Sequence, residues 1–195
     1  ITSAEGGAIL TNSPEIDNRV KSYRSHGITK DVAKFKNSSE GPWYYEQHSL
    51  GFNYRMNDLQ AALGLNQLQR LDSITLKRNE LANSYKELLE SLPIEFQKII
   101  DHSYSSYHLL SLRIKTDQVQ QKKRYFFDNL LRMGIGVNLH YIPIYRQPYY
   151  SKFGFNYKNF PNAEKYYDQT ITLPLYPNLS NKDLNFICRS FRSLF

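Results

Sequence analysis

The first half of the chain alternates polar stretches with short apolar runs. The segment 6–11 opens with two glycines and continues as an apolar run, which predicts a buried strand entered from a tight turn. Ser13 as the N-cap and Pro14 at the first helical position predict a helix, which Gly27 can close. The polar stretch 28–49 follows neither a helical nor a strand period, which predicts a long loop of functional rather than core character.

A helical repeat of leucines fills the middle of the chain. Asn57 followed by Gln60 resembles a capping box, and Pro93 can stop the helix. The pattern predicts a helix over 57–93, about 36 residues or roughly 54 Å at 1.5 Å per residue, unless it breaks near Asp72. A helix of this length is typical of a domain connection or a dimer interface.

The rest of the chain alternates between strand and helix patterns. The predicted elements, in order, are a strand over 107–114, a helix over 116–132, a strand over 136–142, a helix over 162–170, a strand over 171–175 and a terminal helix capped by Ser180. This order predicts an α/β layer in which helices cover strands.

The composition indicates a packed globular protein. Of the 195 residues 41% are hydrophobic and 22% are charged, which excludes a disordered tail. No stretch approaches the roughly 20 apolar residues of a transmembrane helix, so no membrane partner is expected. The single cysteine, Cys188, allows no internal disulfide and is expected to pack in the core, and a reducing, cytoplasmic location is the default. No zinc-type ligand cluster is present, so no metal is expected.

The charge favours an anionic partner without naming it. The formal net charge is +7, but the cations are scattered along the chain, so we expect no nucleic-acid partner. Because the chain starts at Ile1 without Met, it is expected to be a piece of a longer polypeptide.

The first candidate site is the segment 50–58, which joins the long loop to the long helix. Backbone N–H groups at a helix N-terminus favour a phosphate, Asn53 offers an amide, and Arg55 offers a planar charged fork. The structural alternative is that Asn53 closes a turn and Arg55 pairs with a carboxylate such as Asp58. From the residues alone, both interpretations stay open.

The second candidate site is the segment 136–143. Strand alternation would direct Asn138 and His140 to the same face, where an amide and an imidazole could bind sugar hydroxyls or a phosphate. The alternative is a histidine that is hydrogen-bonded for structural reasons. Four tyrosines in and after this segment could stack on a base or simply pack the domain: Tyr141, Tyr145, Tyr149 and Tyr150.

Six segments carry motifs whose order is more specific than any one of them. They are Thr2-Ser3-Ala4-Glu5-Gly6-Gly7, Ser25-His26-Gly27, Gly51-Phe52-Asn53-Tyr54-Arg55-Met56 with Asp58-Leu59-Gln60-Ala61-Ala62-Leu63-Gly64, Val137-Asn138-Leu139-His140-Tyr141-Ile142-Pro143, Phe160-Pro161-Asn162-Ala163-Glu164 and Leu173-Pro174-Leu175-Tyr176-Pro177. Together they resemble the sugar-nucleotide aminotransferases of the fold-type I pyridoxal-phosphate superfamily. The resemblance is strongest to members that act on a UDP-4-keto-6-deoxy-N-acetylhexosamine in pseudaminic acid synthesis.

The resemblance implies a fold and a domain organisation. The fold would be α/β, the C-terminal part of a fold-type I PLP-dependent transferase. Residues 1–56 would form the end of the large PLP-binding domain and an active-site loop, residues 57–93 a long connecting helix, and residues 94–195 a small C-terminal α/β domain. The family's cofactor-binding lysine would lie two residues before Ile1, so no catalytic residue is expected in this sequence and the chain alone is expected to be inactive.

The resemblance also implies an activity and its site residues. A longer polypeptide would transfer an amino group from glutamate to the C4 ketone of a UDP-4-keto-6-deoxy-amino sugar, with pyridoxal 5′-phosphate as cofactor. In a homodimer with shared active sites, Asn53 would reach across to the partner's cofactor phosphate or substrate, and Arg55 would bind the cofactor or hold the loop. The sugar-nucleotide site would be lined by Asn138, Leu139, His140 and Tyr141.

One alternative function remains at this stage. A catalytically inactive relative could bind PLP or a sugar nucleotide as a regulatory module. The residue two positions before Ile1 would distinguish the two, because lysine favours the transferase and histidine favours another use of the cofactor.

Overall fold

The computed structural model describes residues 1–195, which divide into two compact units, Ile1–Leu71 and Asp72–Phe195. The helices are α1 (Pro14–Tyr23), α2 (Asp58–Gln69), α3 (Leu71–Leu89), α4 (Lys123–Arg132), α5 (Pro148–Ser151), α6 (Pro161–Gln169) and α7 (Asn181–Arg192). The strands are β1 (Ile28–Thr29), β2 (Glu46–Gln47), β3 (Ile94–Phe96), β4 (Leu110–Ile114) and β5 (Thr170–Leu173). None of the helices has both the length and the apolar character needed to cross a membrane.

Helix α1 begins as its sequence predicts. The Ser13 hydroxyl accepts a hydrogen bond from the Ile16 N–H at 3.4 Å, and Pro14 occupies the first turn. Beyond the end of the helix, Gly27 has φ +68° and its N–H donates to the Ser22 carbonyl at 2.9 Å. A Cβ at Gly27 would lie 1.9 Å from the Ser49 carbonyl oxygen, so only glycine fits this close approach.

Two expectations for the first unit need correction. Residues 6–11 form no strand, because no other segment pairs with them, and Leu10 is 94% exposed. The stretch 28–49 is not entirely loop, since β1 and β2 pair antiparallel with Ile28 opposite Gln47.

The helix expected over 57–93 is two helices. Its start is confirmed, since Asn57 Oδ1 accepts from the Gln60 N–H at 2.9 Å and Gln60 Oε1 accepts from the Asn57 N–H at 3.3 Å. Arg70, at φ −106° and ψ 8°, separates α2 from α3, so the break lies just before the Asp72 position considered above. Helix α3 ends at Leu89 rather than at Pro93.

The second unit contains a three-stranded antiparallel sheet in the order β3-β4-β5. On β4 the apolar residues are buried and alternate with half-buried polar ones, so one face of the sheet packs against helices, as expected for an α/β layer. Cys188 lies in this core as predicted, and burial raises its pKa to about 12.

Several element ends in this unit differ from the sequence predictions. Strand β4 starts at Leu110 instead of Tyr107, which has φ +43°. Helix α4 starts at Lys123, because the Thr116 hydroxyl accepts from Gln169 Nε2 at 3.1 Å instead of capping a helix. Helix α6 and strand β5 each begin one residue before the predicted position.

The strand expected over 136–142 does not form. Asn138 makes only an isolated bridge with Thr172. The next N–H, that of Leu139, donates to Asn138 Oδ1 at 2.7 Å, so a side chain replaces the partner strand. Pro143 then offers no N–H at all. These residues run beside β5 as an irregular segment.

Candidate functional site

The segment 50–58 is fixed to the end of α1 by backbone hydrogen bonds. The Phe52 N–H donates to the Tyr23 carbonyl at 2.6 Å, and the Tyr54 N–H donates to the Arg24 carbonyl at 2.9 Å. Asn53, between them, forms an antiparallel bridge with Ser25. The Ser-His-Gly and Gly-Phe-Asn-Tyr-Arg motifs of the sequence therefore meet in the first unit.

The side chains of Asn53 and Arg55 are exposed. Neither makes a side-chain hydrogen bond or an ion pair within the chain, and Arg55 does not pair with Asp58. Of the structural alternative, the backbone of Asn53 does pair with Ser25, whereas Arg55 pairs with no carboxylate of this chain. Their amide and guanidinium N–H groups remain available to an acceptor outside this chain.

The start of α2 contributes less to anion binding than its sequence suggests. The capping box already uses the N–H groups of Asn57 and Gln60, and Asp58 adds a negative charge to the first turn. The donors at this place are therefore chiefly the side chains of Asn53 and Arg55. This donor set, one neutral amide and one planar cation, fits a phosphate group.

A buried carboxylate fixes the loop that precedes this segment. Glu46 is 7% exposed and accepts from the N–H groups of Lys36 and Asn37, both at 2.8 Å, while its Oε2 lies 2.6 Å from His48 Nε2. The hydrogen bond from His48 and those from the backbone lower the Glu46 pKa to about 2. Sequence reasoning missed this residue, since its partners lie up to ten positions away.

The second segment, 138–141, is held against β5. The Asn138 N–H donates to the Thr172 carbonyl at 3.1 Å, and the Thr172 N–H donates back at 2.8 Å. His140 Nδ1 lies 2.9 Å from Thr172 Oγ1, which itself lies 2.9 Å from Ser111 Oγ. These side-chain hydrogen bonds, from His140 through Thr172 to Ser111, anchor the imidazole to the sheet. The peptide bond that follows His140 is cis.

The four residues predicted in this segment have different surroundings. His140 is half-buried, and the Tyr141 ring stands edge-on to it at 4.7 Å while remaining 71% exposed. Asn138 turns its oxygen onto the Leu139 N–H, as described above, and keeps its amide NH₂ free. His140 and Tyr141 therefore face a common cleft, and Asn138 and Leu139 do not line it.

The cleft has a volume of about 480 Å³, within the range of small-molecule pockets. Strands β3 and β4 form one wall, and His140, Tyr141 and Tyr166 of α6 form another. Its lining residues are Glu95, Phe96, Gln97, Lys98, Leu109, Ser111, Leu112, Arg113, His140, Tyr141 and Tyr166. The polar positions that alternate with leucines along β4 were the available sequence signal for Ser111 and Arg113.

The tyrosine-rich connection is partly packed. The Tyr145 ring stacks on Phe160 at 4.5 Å, and its hydroxyl donates to Glu164 Oε1 at 2.8 Å. The Arg146 guanidinium also binds the Glu164 carboxylate and is the main cause of the lowered pKa of that carboxyl. Tyr149 and Tyr150 contact each other edge-on at 5.1 Å. Tyr145 is thus structural, and of the four tyrosines only Tyr141 lines the cleft, together with Tyr166 of α6.

No group of three or more His, Cys, Asp or Glu side chains is placed to hold a metal ion. The chemistry of both segments is that of hydrogen-bond donors, aromatic rings and cations.

Comparison with known proteins relates the chain to a family of aminotransferases. The DegT/DnrJ/EryC1/StrS aminotransferase family matches residues 1–192. A UDP-4-amino-4,6-dideoxy-N-acetyl-beta-L-altrosamine transaminase of Campylobacter jejuni is 36% identical over 188 residues, which are 96% of this chain and 47% of that protein. The chain spans about half the length of the curated relatives it matches.

Solved structures agree in fold. Helicobacter pylori PseC, an aminotransferase involved in the biosynthesis of pseudaminic acid, is similar with a TM-score of 0.87 and 31% identity, covering 100% of this chain and 50% of that one. The PMP form of the Streptococcus pneumoniae sugar aminotransferase Spr1654 has a TM-score of 0.84 and 26% identity, covering 96% and 47%.

These matches confirm the fold predicted above, the C-terminal part of a fold-type I PLP-dependent transferase. Pyridoxal phosphate is the cofactor of the family. The chain belongs to the DegT/DnrJ/EryC1/StrS aminotransferase family.

Proposed function

We propose that the chain is one half of a PLP-dependent aminotransferase that moves an amino group from glutamate to the C4 ketone of a UDP-4-keto-6-deoxy-amino sugar. The substrate is suggested by relatives from two genera that share the altrosamine transaminase name. Bound pyridoxal phosphate supplies the electron sink and carries the amino group between the two substrates.

In this proposal, Asn53 and Arg55 hold the cofactor's phosphate. Both side chains are exposed and lack partners within the chain, while the backbone between them is fixed to the end of α1. Arg55 neutralises the phosphate charge, and the Asn53 amide adds hydrogen bonds without further charge. A fixed backbone keeps these donors oriented, which reduces the entropy lost on binding.

We further propose that these residues serve the site of a second subunit. Helix α2 buries none of its residues, and its leucines are exposed, with Leu59 at 85% and Leu65 at 59%. Contiguous exposed apolar surface marks an interface. A homodimer would cover such a surface, and Asn53, next to α2, would then reach the partner's cofactor.

The substrate side of the proposal rests on the segment 138–141. Thr172 holds His140 from the buried side, so the imidazole keeps a fixed orientation at the cleft. A fixed imidazole can hydrogen-bond a hydroxyl or phosphate of the nucleotide sugar, and Tyr141 offers an exposed ring. This anchored His140 beside a ligand-sized cleft is the single structural observation that supports a nucleotide-sugar site in this chain.

Amino transfer by the longer polypeptide tests this function. It would be loaded with pyridoxal phosphate and given glutamate and a UDP-4-keto-6-deoxy-N-acetylhexosamine, with 2-oxoglutarate and the amino sugar followed by mass spectrometry. We expect both products in equal amounts. Bound cofactor without either product would contradict the proposal and favour a catalytically inactive binding protein.

A further inference from the structure

The cleft of the second unit contains two cations that the proposed function does not use. Lys98, which follows β3, and Arg113, on β4, both line it. Lys98 is exposed and has no ion-pair or hydrogen-bond partner. Arg113 donates to Glu95 through one terminal nitrogen at 2.5 Å, and its other N–H groups make no hydrogen bond.

Strand register explains why these charges sit together. Glu95 and Arg113 are directly opposite each other in the antiparallel pair of β3 and β4. Arg113 and Ser111 project to the face of the sheet opposite the buried leucines, and the Ser111 hydroxyl takes part in the hydrogen bonds that anchor His140. Glu95 therefore holds the guanidinium in place at the cleft instead of neutralising it completely.

The two walls of the cleft differ in chemistry. The wall formed by β3 and β4 carries two cations and one carboxylate, a net charge of +1. The other wall carries His140 with the rings of Tyr141 and Tyr166. A ligand that suits both has an anionic part and a part rich in hydroxyls or aromatic surface. A nucleoside diphosphate joined to a sugar has these parts.

We propose that Lys98 and Arg113 bind the diphosphate of the sugar nucleotide and thereby set the preference for nucleotide-linked over free sugars. The identity of the ligand rests on the proposed function, whereas the anion site rests on the cleft. Arg113 offers a planar fork of N–H donors to a phosphate, and Lys98 adds a mobile point charge. Glu95 positions Arg113 and also repels the anion.

Titration of the chain of residues 1–195 with UDP, UMP and uridine, followed by two-dimensional NMR, tests the site without requiring catalysis. UDP is expected to shift the backbone amide signals of Gln97, Lys98 and Ser111, and added salt is expected to weaken the effect. UMP should bind more weakly, and uridine should produce the smallest shifts. Equal shifts for UDP and uridine would overturn the proposal.

Three substitutions sharpen the test. Arg113→Gln should weaken UDP binding roughly tenfold, and Lys98→Gln, which breaks no contact within the fold, roughly threefold. Glu95→Gln should tighten UDP binding, an outcome that a purely structural role of the pair does not produce. Arg132→Gln, on the exposed end of α4, is the matched control and should change nothing. Arg113→Gln and Lys98→Gln variants that both bind like this control would refute the site.

The test of the anion site and the test of the proposed function can fail independently of each other. UDP binding in the cleft together with no amino transfer by the longer polypeptide would leave the anion site standing and remove the transaminase. Amino transfer with an unchanged KM for the nucleotide sugar in Arg113→Gln would leave the transaminase and remove the anion site.

Discussion

The two units of the chain use their apolar residues in opposite ways. Every buried hydrophobic residue lies between Leu81 and Leu194, in the second unit. In the first unit, α1 and α2 bury none, and large apolar side chains such as Leu10 and Leu50 are more than four-fifths exposed. The second unit therefore has a core of its own, whereas the first unit is shaped by local caps, turns and one buried carboxylate. Such an exposed apolar surface is typical of a surface that packs against further polypeptide, which the proposal above assigns to a second subunit.

The largest effect should come from the core of the second unit. Phe126 is fully buried, and its ring lies 4.7 Å from that of Phe195. Phe126→Ala should lower the free energy of unfolding by about 3–5 kcal/mol, because it removes buried area and leaves a cavity. Leu59→Ala on exposed α2 is the control and should cost less than about 0.5 kcal/mol. The free energies of unfolding would be measured by urea denaturation. Equal losses for the two variants would contradict the difference between a packed second unit and an exposed first unit.

A smaller loss is expected for one buried hydroxyl. Tyr85 is fully buried and donates to the Pro174 carbonyl at 2.9 Å, and burial raises its pKa. Tyr85→Phe leaves that carbonyl without its donor and should cost about 1–2 kcal/mol. Tyr104→Phe, at a residue that is 72% exposed, should be neutral in the same urea titration. A neutral Tyr85→Phe would mean that another donor replaces the hydroxyl.

The smallest effect is local and depends on pH in the first unit. Because the Glu46 pKa is lowered from 4.5 to about 2, its contribution to stability is complete above pH 4.5 and is lost as the pH falls towards 2. The amide proton signals of Lys36 and Asn37 should therefore move together with a midpoint near pH 2. In Glu46→Gln this transition should be absent. A midpoint near 4.5 in the unchanged chain would contradict the buried carboxylate.

Local signals in the sequence predict much of this fold. Ser13, Asn57 and Ser180 cap their helices as expected, since each makes its hydrogen bond within three residues. The strand over 136–142 could not be excluded from its pattern, because the competing bond is made by one side chain, Asn138. Apolar alternation does not encode that competition.

The residues of the candidate sites also divide into those that a local motif predicts and those that depend on distant partners. Sequence motifs predicted Asn53 and His140 as site residues, whereas the sequence did not predict Glu46, Glu95 or Arg113. Two of the hydrogen bonds that hold the Glu46 carboxylate come from backbone N–H groups nine and ten positions away, and the Glu95–Arg113 pair depends on strand register between residues 18 positions apart. Such partners are set by tertiary structure, which no local pattern specifies.

The central claim is that the first unit completes the active site of another subunit, and mixed dimers test it most directly. One longer polypeptide would carry Asn53→Ala, and a second would have its cofactor-binding lysine replaced by alanine. Each variant alone should be nearly inactive. After equal mixing, half of the dimers contain both variants and each of these has one complete site, so about a quarter of the original amino-transfer rate should return. No rate above the sum of the separate variants would contradict the claim.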